Sequence, residues 1–240
     1  MGGLVGHRGL MLAAAASGAG PVDPYWSKVV SLAHLDSQIN GGSRDEVASS
    51  PWTLNSGQIV TTKSKWGGAS LYLSPDGNGG ASRTLGTADA LGSKDFTFDI
   101  WFFCDASSSG YRNLINSRNA DGNSGLAVRI TDGGVLQCFW GAGSYNIVGT
   151  TAVSLNAWHF VRLIRSGSTW KLYLDGALQG QASLGTATLS YTNQTVIWLG
   201  VYGGFSTTTE RFVGYLDDFR CTVGQARVGT EVPTAAFWNP

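Results

Sequence analysis

Two adjacent acid pairs, Asp45-Glu46 and Asp217-Asp218, are the first residues whose types suggest chemistry. Hydrolysis of a glycosidic bond with retention needs two carboxyl groups about 5 Å apart. A strand supplies them by placing acids two residues apart on one face. The chain has no acid-x-acid-x-acid triplet, and strand alternation sends the members of an adjacent pair to opposite faces. Asp217 and Asp218 are therefore expected to be structural acids, accepting hydrogen bonds from a neighbouring loop or pairing with Arg220 and Arg162, because a buried carboxylate needs partners. His159 is expected to be a satisfied sheet histidine rather than a base, since no Ser or Cys nucleophile motif accompanies it. His34 and His7 show no partner pattern. The expectation is a protein that is not an enzyme.

Sugar recognition is the next chemistry to consider. A pyranose presents an apolar face and a polar rim, so its sites combine aromatic rings with amide and carboxylate groups. Trp140-Gly141-Ala142-Gly143-Ser144-Tyr145-Asn146 and Tyr202-Gly203-Gly204-Phe205 are glycine-rich stretches able to present rings. Trp140, Tyr145, Asn146, Tyr202 and Phe205 are the candidate glycan contacts. In the alternative reading Trp140 and Tyr202 only finish strands and pack.

These residues must be carried by strands. The 240 residues include 34 Gly, 9 Trp, 8 Tyr and 10 Phe against 2 Met, a composition poor in helix formers and rich in turn and strand residues. Phe96, Phe98, Ile100 and Phe102 alternate onto one face, and Trp101 and Phe103 on the other imply a strand covered on both sides near its end. Leu126 to Thr131 and Val135 to Trp140 flank Asp132-Gly133-Gly134 and read as a hairpin. Trp158 to Arg165 and Trp170 to Asp175 form a second around Ser166-Gly167-Ser168-Thr169, and Asp175-Gly176 turns the chain again. Val196 to Val201 and Tyr215 to Val223 are further strands. Cys104, Cys138 and Cys221 each lie in a strand-like run and are expected to be buried thiols, a bridge between sheets being the other reading.

Sixteen Lys+Arg balance sixteen Asp+Glu, so no bulk electrostatic grip on nucleic acid or anionic lipid is expected. No stretch approaches the ~20 continuous apolar residues of a membrane span. Residues 1–20 have the outline of a secretory leader, with Arg8, the apolar run Leu10 to Ala16 and small residues after it, but that run is at the short limit. The expectation is an arm that is retained, residues 1–22, docking on a partner or neighbouring subunit through Leu4, Val5, His7, Arg8, Leu10, Met11 and Leu12. Packing on its own domain is the alternative. Pro21 and Pro24 mark the linker, and residues 23–240 read as one domain.

Three segments of that domain carry a resemblance. Trp158-His159-Phe160-Val161-Arg162 with Trp170-Lys171-Leu172-Tyr173-Leu174-Asp175-Gly176 resembles a hairpin of laminin-G-like, concanavalin A-like jelly-roll domains. Phe96-Thr97-Phe98-Asp99-Ile100-Trp101 and Gly214-Tyr215-Leu216-Asp217-Asp218-Phe219-Arg220 resemble two further strands of that family, in the right order. The opening Asp23-Pro24-Tyr25-Trp26 through His34-Leu35-Asp36 is similar to the start of these domains in bacteriophage tail and other virion proteins. The ending Val223-Gly224-Gln225-Ala226-Arg227 with Pro233 to Phe237 is similar to their close, although Val228 stands where that group usually has Tyr.

The resemblance implies an all-β fold, a jelly-roll sandwich of two antiparallel sheets behind an extended N-terminal arm. It also implies a virion structural protein on the external surface of the phage particle: a lectin-like tail-fibre or receptor-binding module that adheres to host surface glycan. A head or tail decoration protein with only protein contacts is the first alternative, and a secreted bacterial carbohydrate-binding module the second. The implied partners are other virion proteins, reached through the arm, and further copies of the chain, a trimer being the common habit of phage fibres. No cofactor is required. Lectin-like relatives often bind calcium through Asp, Asn and carbonyl oxygens, so Asn119, Asp121 and Asn123 are the candidate ligands, in a loop that also reads as an ordinary turn.

Overall fold

The structure is a computed structural model that describes residues 22–77, 79–105, 110–118, 125–140, 145–183, 195–202, 210–237 and 239–240. Leu4, Val5, His7, Arg8, Leu10, Met11 and Leu12 of the expected arm lie outside the described residues. Apart from the short 3-10 turns Trp26–Lys28 and Thr87–Asp89, the described regular structure is all strand, in two antiparallel sheets. Among the described residues no helix is long and apolar enough to cross a membrane.

The first sheet runs from edge to edge through Ala177–Ser183, Thr169–Leu174, Trp158–Ser166, Phe96–Cys104, Gly214–Val223, Ser70–Leu73 and Gln58–Val60, with Val29–Ala33 also paired to Gly214–Val223. The second runs through Tyr145–Ala152, Val135–Trp140, Leu126–Ile130, Arg112–Asn116, Val196–Leu199, Gly80–Thr84, Trp52–Asn55, Gly42–Ser43 and Gln38–Ile39. Both expected hairpins form. The Asp175-Gly176 turn joins Leu174 to Ala177 with φ of 50° and 80°, the two positive angles that match hairpin twist. Between edge strands the sandwich is stitched by Gln179, whose Oε1 accepts the Thr151 N–H at 3.0 Å.

The inward faces meet in a core that follows the period of two. Phe96, Phe98, Ile100 and Phe102 all enter it, along with Trp52, Phe212 and Phe219. Trp140 from the second sheet stacks on Trp170 from the first at 4.5 Å and 12° between planes. Cys104, Cys138 and Cys221 are buried, and none of them is in a disulfide. Burial raises the Cys138 and Cys221 pKa values because apolar surroundings disfavour thiolate.

The outer face of the first sheet is covered too, as Trp101 foretold. Val29, Leu32, Trp101, Phe160 and Phe237 form a second apolar cluster there, flanked by Trp26, Trp66 and Trp158. Beside it lies a buried ionic network. Asp99 accepts from Arg162 Nε at 2.7 Å through one oxygen and from Arg220 at 2.6 and 3.1 Å through the other. Arg220 also reaches Asp23 at 3.2 Å, and Asp23 takes a two-pronged contact from Arg227 at 2.9 and 2.7 Å. Arg220 lies 3.8 Å over the Phe237 ring. Burial works to raise the Asp99 and Asp23 pKa values, but the arginines overcome it and hold both carboxyls below the usual carboxylate range.

Three arginines and two aspartates from chain positions up to 204 residues apart thus share one buried site. Removing one member of a buried ion pair strands its partners and costs about 3–5 kcal/mol. Asp99→Ala, which leaves both Arg162 and Arg220 without their shared carboxylate, is expected to lose that much stability by urea unfolding. A loss under about 1 kcal/mol would place the network among exposed ion pairs.

Candidate functional site

Asp217 and Asp218 were expected on opposite faces, and the structure corrects this. Along Gly214–Val223 the side chains of Leu216, Phe219, Cys221 and Val223 enter the core, so the alternation slips by one residue at Asp217-Asp218. The pairing with Phe96–Cys104 shifts register between Asp217 and Arg220, and Asp218 takes φ 48°. This bulge turns both carboxylates outward. Asp217 accepts the backbone N–H groups of Lys65 and Trp66 at 2.6 and 3.1 Å, the expected loop partners. Arg220 and Arg162 are committed to Asp99 instead. Asp218 meets His34 Nδ1 at 2.6 Å and accepts the Phe237 N–H at 2.7 Å.

His34 therefore does have a partner, one 184 residues away that local sequence does not show. A cleft of about 160 Å³, lined by His34, Asp36, Trp66, Asp217 and Phe237, opens over the pair. Burial works to lower the His34 pKa, yet Asp218, Asp36 and Glu46 hold it above the ordinary histidine value. Asp217 is pushed up to about 7 by burial, with Asp218 and Asp36 adding to the rise and its two amide donors opposing it. The other acid pair divides its members: Asp45 is buried against Ser31 and Arg83, while Glu46 reaches Arg44 and Asn239.

His159 is a satisfied sheet histidine, although a serine does stand beside it. Its Nε2 lies 2.9 Å from Ser154 Oγ and its Nδ1 2.7 Å from Asp175 Oδ2, distances that suit nucleophile, base and orienting acid. Nε2 also faces the Ser154 carbonyl oxygen at 3.1 Å, an acceptor that only a protonated nitrogen satisfies. The Asp175 hydrogen bond leads in holding the imidazole above its ordinary pKa, against burial. With both ring nitrogens favoured as donors, the ring is poorly placed to take the Ser154 proton. Asp175 also accepts the Phe160 N–H at 2.7 Å, so the cluster ties a loop to the hairpin turn.

The sugar candidates separate. Trp140 is 2% exposed and stacked in the core, so its ring faces are closed to a ligand. It lies inward because it continues the alternation of Leu136 and Cys138. Phe205, the side chain of Tyr145, and the calcium candidates Asn119, Asp121 and Asn123 lie outside the described residues. Among the described residues no group of three or more His, Cys, Asp or Glu is arranged to hold a metal ion.

Asn146 and Tyr202 belong to a surface that sequence reading did not assemble. On the outer face of the second sheet, rings and guanidinium groups alternate. Arg129 lies 3.4 Å from the Tyr111 ring centroid and 4.1 Å from that of Phe139; Arg118 lies 4.3 Å from Phe139 and 5.4 Å from Tyr202. Each such contact is worth about 0.5–2 kcal/mol. Gln137 accepts from Arg129 Nε at 2.9 Å, Glu210 lies 3.6 Å from its other end, and exposed Asn146 pairs in register with Phe139. Burial draws the Arg129 pKa below the ordinary arginine value, against Glu210. The signal was present in the hairpin register: Val128 and Ile130 point inward, so Arg129 must point out, opposite Gln137 and diagonal to Phe139.

Asp217 gives these sites a pH signature. Its folded pKa of about 7 exceeds the unfolded value of about 3.9, so its contribution to stability is complete below about pH 4 and is lost as pH rises through 7. Asp217→Asn keeps an acceptor for the two amides but cannot ionise. The variant is expected to match the parent near pH 4 and to exceed it by at least about 1 kcal/mol at pH 8, read from urea midpoints. A difference that does not change with pH would remove burial as the dominant influence on this carboxyl.

Comparison with known structures finds the same architecture at low identity. The binding domain of Paraclostridial Mosquitocidal Protein 1 is 17% identical with a TM-score of 0.64, the match covering 84% of this chain and 50% of that one. Domain 4 of AbnA, an extracellular arabinanase from Geobacillus stearothermophilus solved with arabinotriose, is 15% identical with a TM-score of 0.63, covering 84% and 94%. The CBM40 of a Ruminococcus gnavus sialidase, solved with α2,6 sialyllactose, is 16% identical with a TM-score of 0.51, covering 59% and 82%. This chain thus spans half the length of the first of these structures. No curated protein matches by sequence. Residues 75–223, which carry most of both sheets and the central strands, match the model of the concanavalin A-like lectin/glucanases superfamily, and the chain belongs to that superfamily.

Proposed function

We propose that this protein is a non-catalytic glycan-binding module, displayed on the surface of a bacteriophage particle through its N-terminal arm and serving adhesion to the host. The observation that carries the glycan part is the ladder of Tyr111, Arg129, Phe139, Arg118 and Tyr202 on one outer face. Half-buried Tyr202 and exposed Tyr111 offer ring surface for an apolar sugar face, while the arginines, Gln137, Asn146 and Glu210 offer rim partners. Two structural neighbours of the same fold were solved with oligosaccharides, which supports the reading at the level of ligand class. Turnover is not part of it: the outward carboxylates Asp217 and Asp218 are engaged with backbone amides and His34, and His159 faces two acceptors.

Display on a virion is supported by the similarity of both chain ends to those of phage proteins. Those ends meet in space, where Asp23 binds Arg227 and Val29 and Leu32 share an apolar cluster with Phe237. Residues 1–22 would then be the attachment, and no resident cofactor is invoked.

A glycan array probed with the purified protein is expected to show hits, and Tyr202→Ala is expected to weaken the best of them by at least about ten-fold, the usual effect of losing an aromatic anchor. Deletion of residues 1–20 is expected to abolish incorporation into particles without changing array binding. An array without hits, together with lost incorporation, would replace adhesion by a decoration role; unchanged incorporation would remove the arm from attachment.

A further inference from the structure

A second concavity lies on the outer face of the first sheet, where the covering by the terminal segments stops. Along Trp158–Ser166 and Thr169–Leu174 the side chains of Leu163, Trp170 and Leu172 enter the core, so Ile164, Lys171 and Tyr173 point out. Residues 226–230 run alongside them as a wall. Arg162 donates to the Gly229 carbonyl at 3.0 Å, and the Arg227 N–H donates to Thr97 Oγ1 at 2.9 Å, while the Arg227 guanidinium is spent on Asp23 and Thr222. The wall is therefore held before any ligand arrives, which lowers the ordering cost of binding.

Between wall and strands is a groove of about 440 Å³. That falls within the range of about 300–1,000 Å³ typical of ligand sites. Its chemistry is mixed. Ile164, Tyr173 and Ala226 form an apolar floor. The Lys171 ammonium and the hydroxyl groups of Ser166, Thr169 and Thr230 line the same space, and none of them has a side-chain partner among the described residues. No lining residue is acidic, and since Arg227 is already paired with Asp23, Lys171 supplies the groove's available positive charge. A sugar bearing a carboxylate gives the Lys171 ammonium a charge-assisted partner and the hydroxyls hydrogen-bond partners, which an apolar ligand does not.

We infer that this groove binds a sugar unit bearing a carboxylate. The ring lies on the Tyr173 and Ile164 floor, the carboxylate meets Lys171, and ring hydroxyls exchange hydrogen bonds with Ser166, Thr169 and Thr230. The inference does not rest on the ladder, which belongs to the other sheet. If both sites are filled, one molecule presents two glycan contacts on opposite outer faces and gains by avidity.

The test uses the full chain labelled with ¹⁵N, titrated with methyl β-D-glucuronide and, separately, with methyl β-D-glucoside, which differ only in oxidation at C6. The glucuronide is expected to give saturable shifts at the amides of Thr169, Lys171, Val228 and Gly229, with a Kd at least ten-fold below that for the glucoside. Lys171→Met keeps the aliphatic stem and removes the charge, and it is expected to raise the glucuronide Kd at least ten-fold with the rest of the spectrum unchanged. Absence of shifts at these amides overturns the site, even if shifts appear at Arg118 and Arg129 and sustain the ladder. Equal binding of both sugars, or indifference to Lys171→Met, overturns the acidic assignment.

Discussion

The buried ionic network on the outer face of the first sheet is the constraint on which much else depends. Asp99 sits at its centre on Phe96–Cys104 and gathers Arg162 and Arg220 from the two strands that flank it. Arg220 passes the linkage to Asp23 and Asp23 passes it to Arg227, so both terminal segments are fixed to the sheet. A network of this kind contributes less through net energy than through the alternatives it forbids, because desolvation consumes much of the Coulomb gain while a missing partner is costly. With the terminal segments in place, Phe237 covers Trp101 and Phe160, and a face that would otherwise expose rings becomes interior. The wall of the groove is a by-product of the same fixation.

The bulge at Asp217-Asp218 is the second device. One extra residue on a central strand breaks the alternation, and two neighbouring carboxylates become outward groups that hold the Lys65–Trp66 loop, the His34 segment and the Phe237 amide. The two acids, expected from the sequence to be structural, are anchors for three chain segments. Their raised pKa values have the same origin as the anchoring, since the segments they hold are what bury them.

The faces divide the work. Between the sheets the molecule is apolar and closed, with even the cysteines serving as small apolar side chains. The outer faces carry the charged, polar and aromatic groups, the ladder on one sheet and the groove on the other. A sandwich suits this arrangement because the inward residues fix the outward ones by alternation, so side chains outside can vary without repacking the core.

The strands, both hairpins, the buried cysteines and the pattern of Phe96 to Phe103 were legible in the sequence, because each depends on local periodicity or on turn residues whose φ only Gly or Asp-Gly readily adopts. The resembling segments were legible as text but not as one object: Asp99, Arg162, Arg220, Asp23, Arg227, His34 and Asp218 come from separate motifs, and only the sheet order brings them together. The same holds for the stacking of Trp140 on Trp170, whose inward direction alternation gives but whose partner lies on the opposite sheet, and for the ladder, decided by hairpin register and two loops. Periodicity says which way a residue points. What it meets there is a matter of long-range pairing, which no window of the sequence contains.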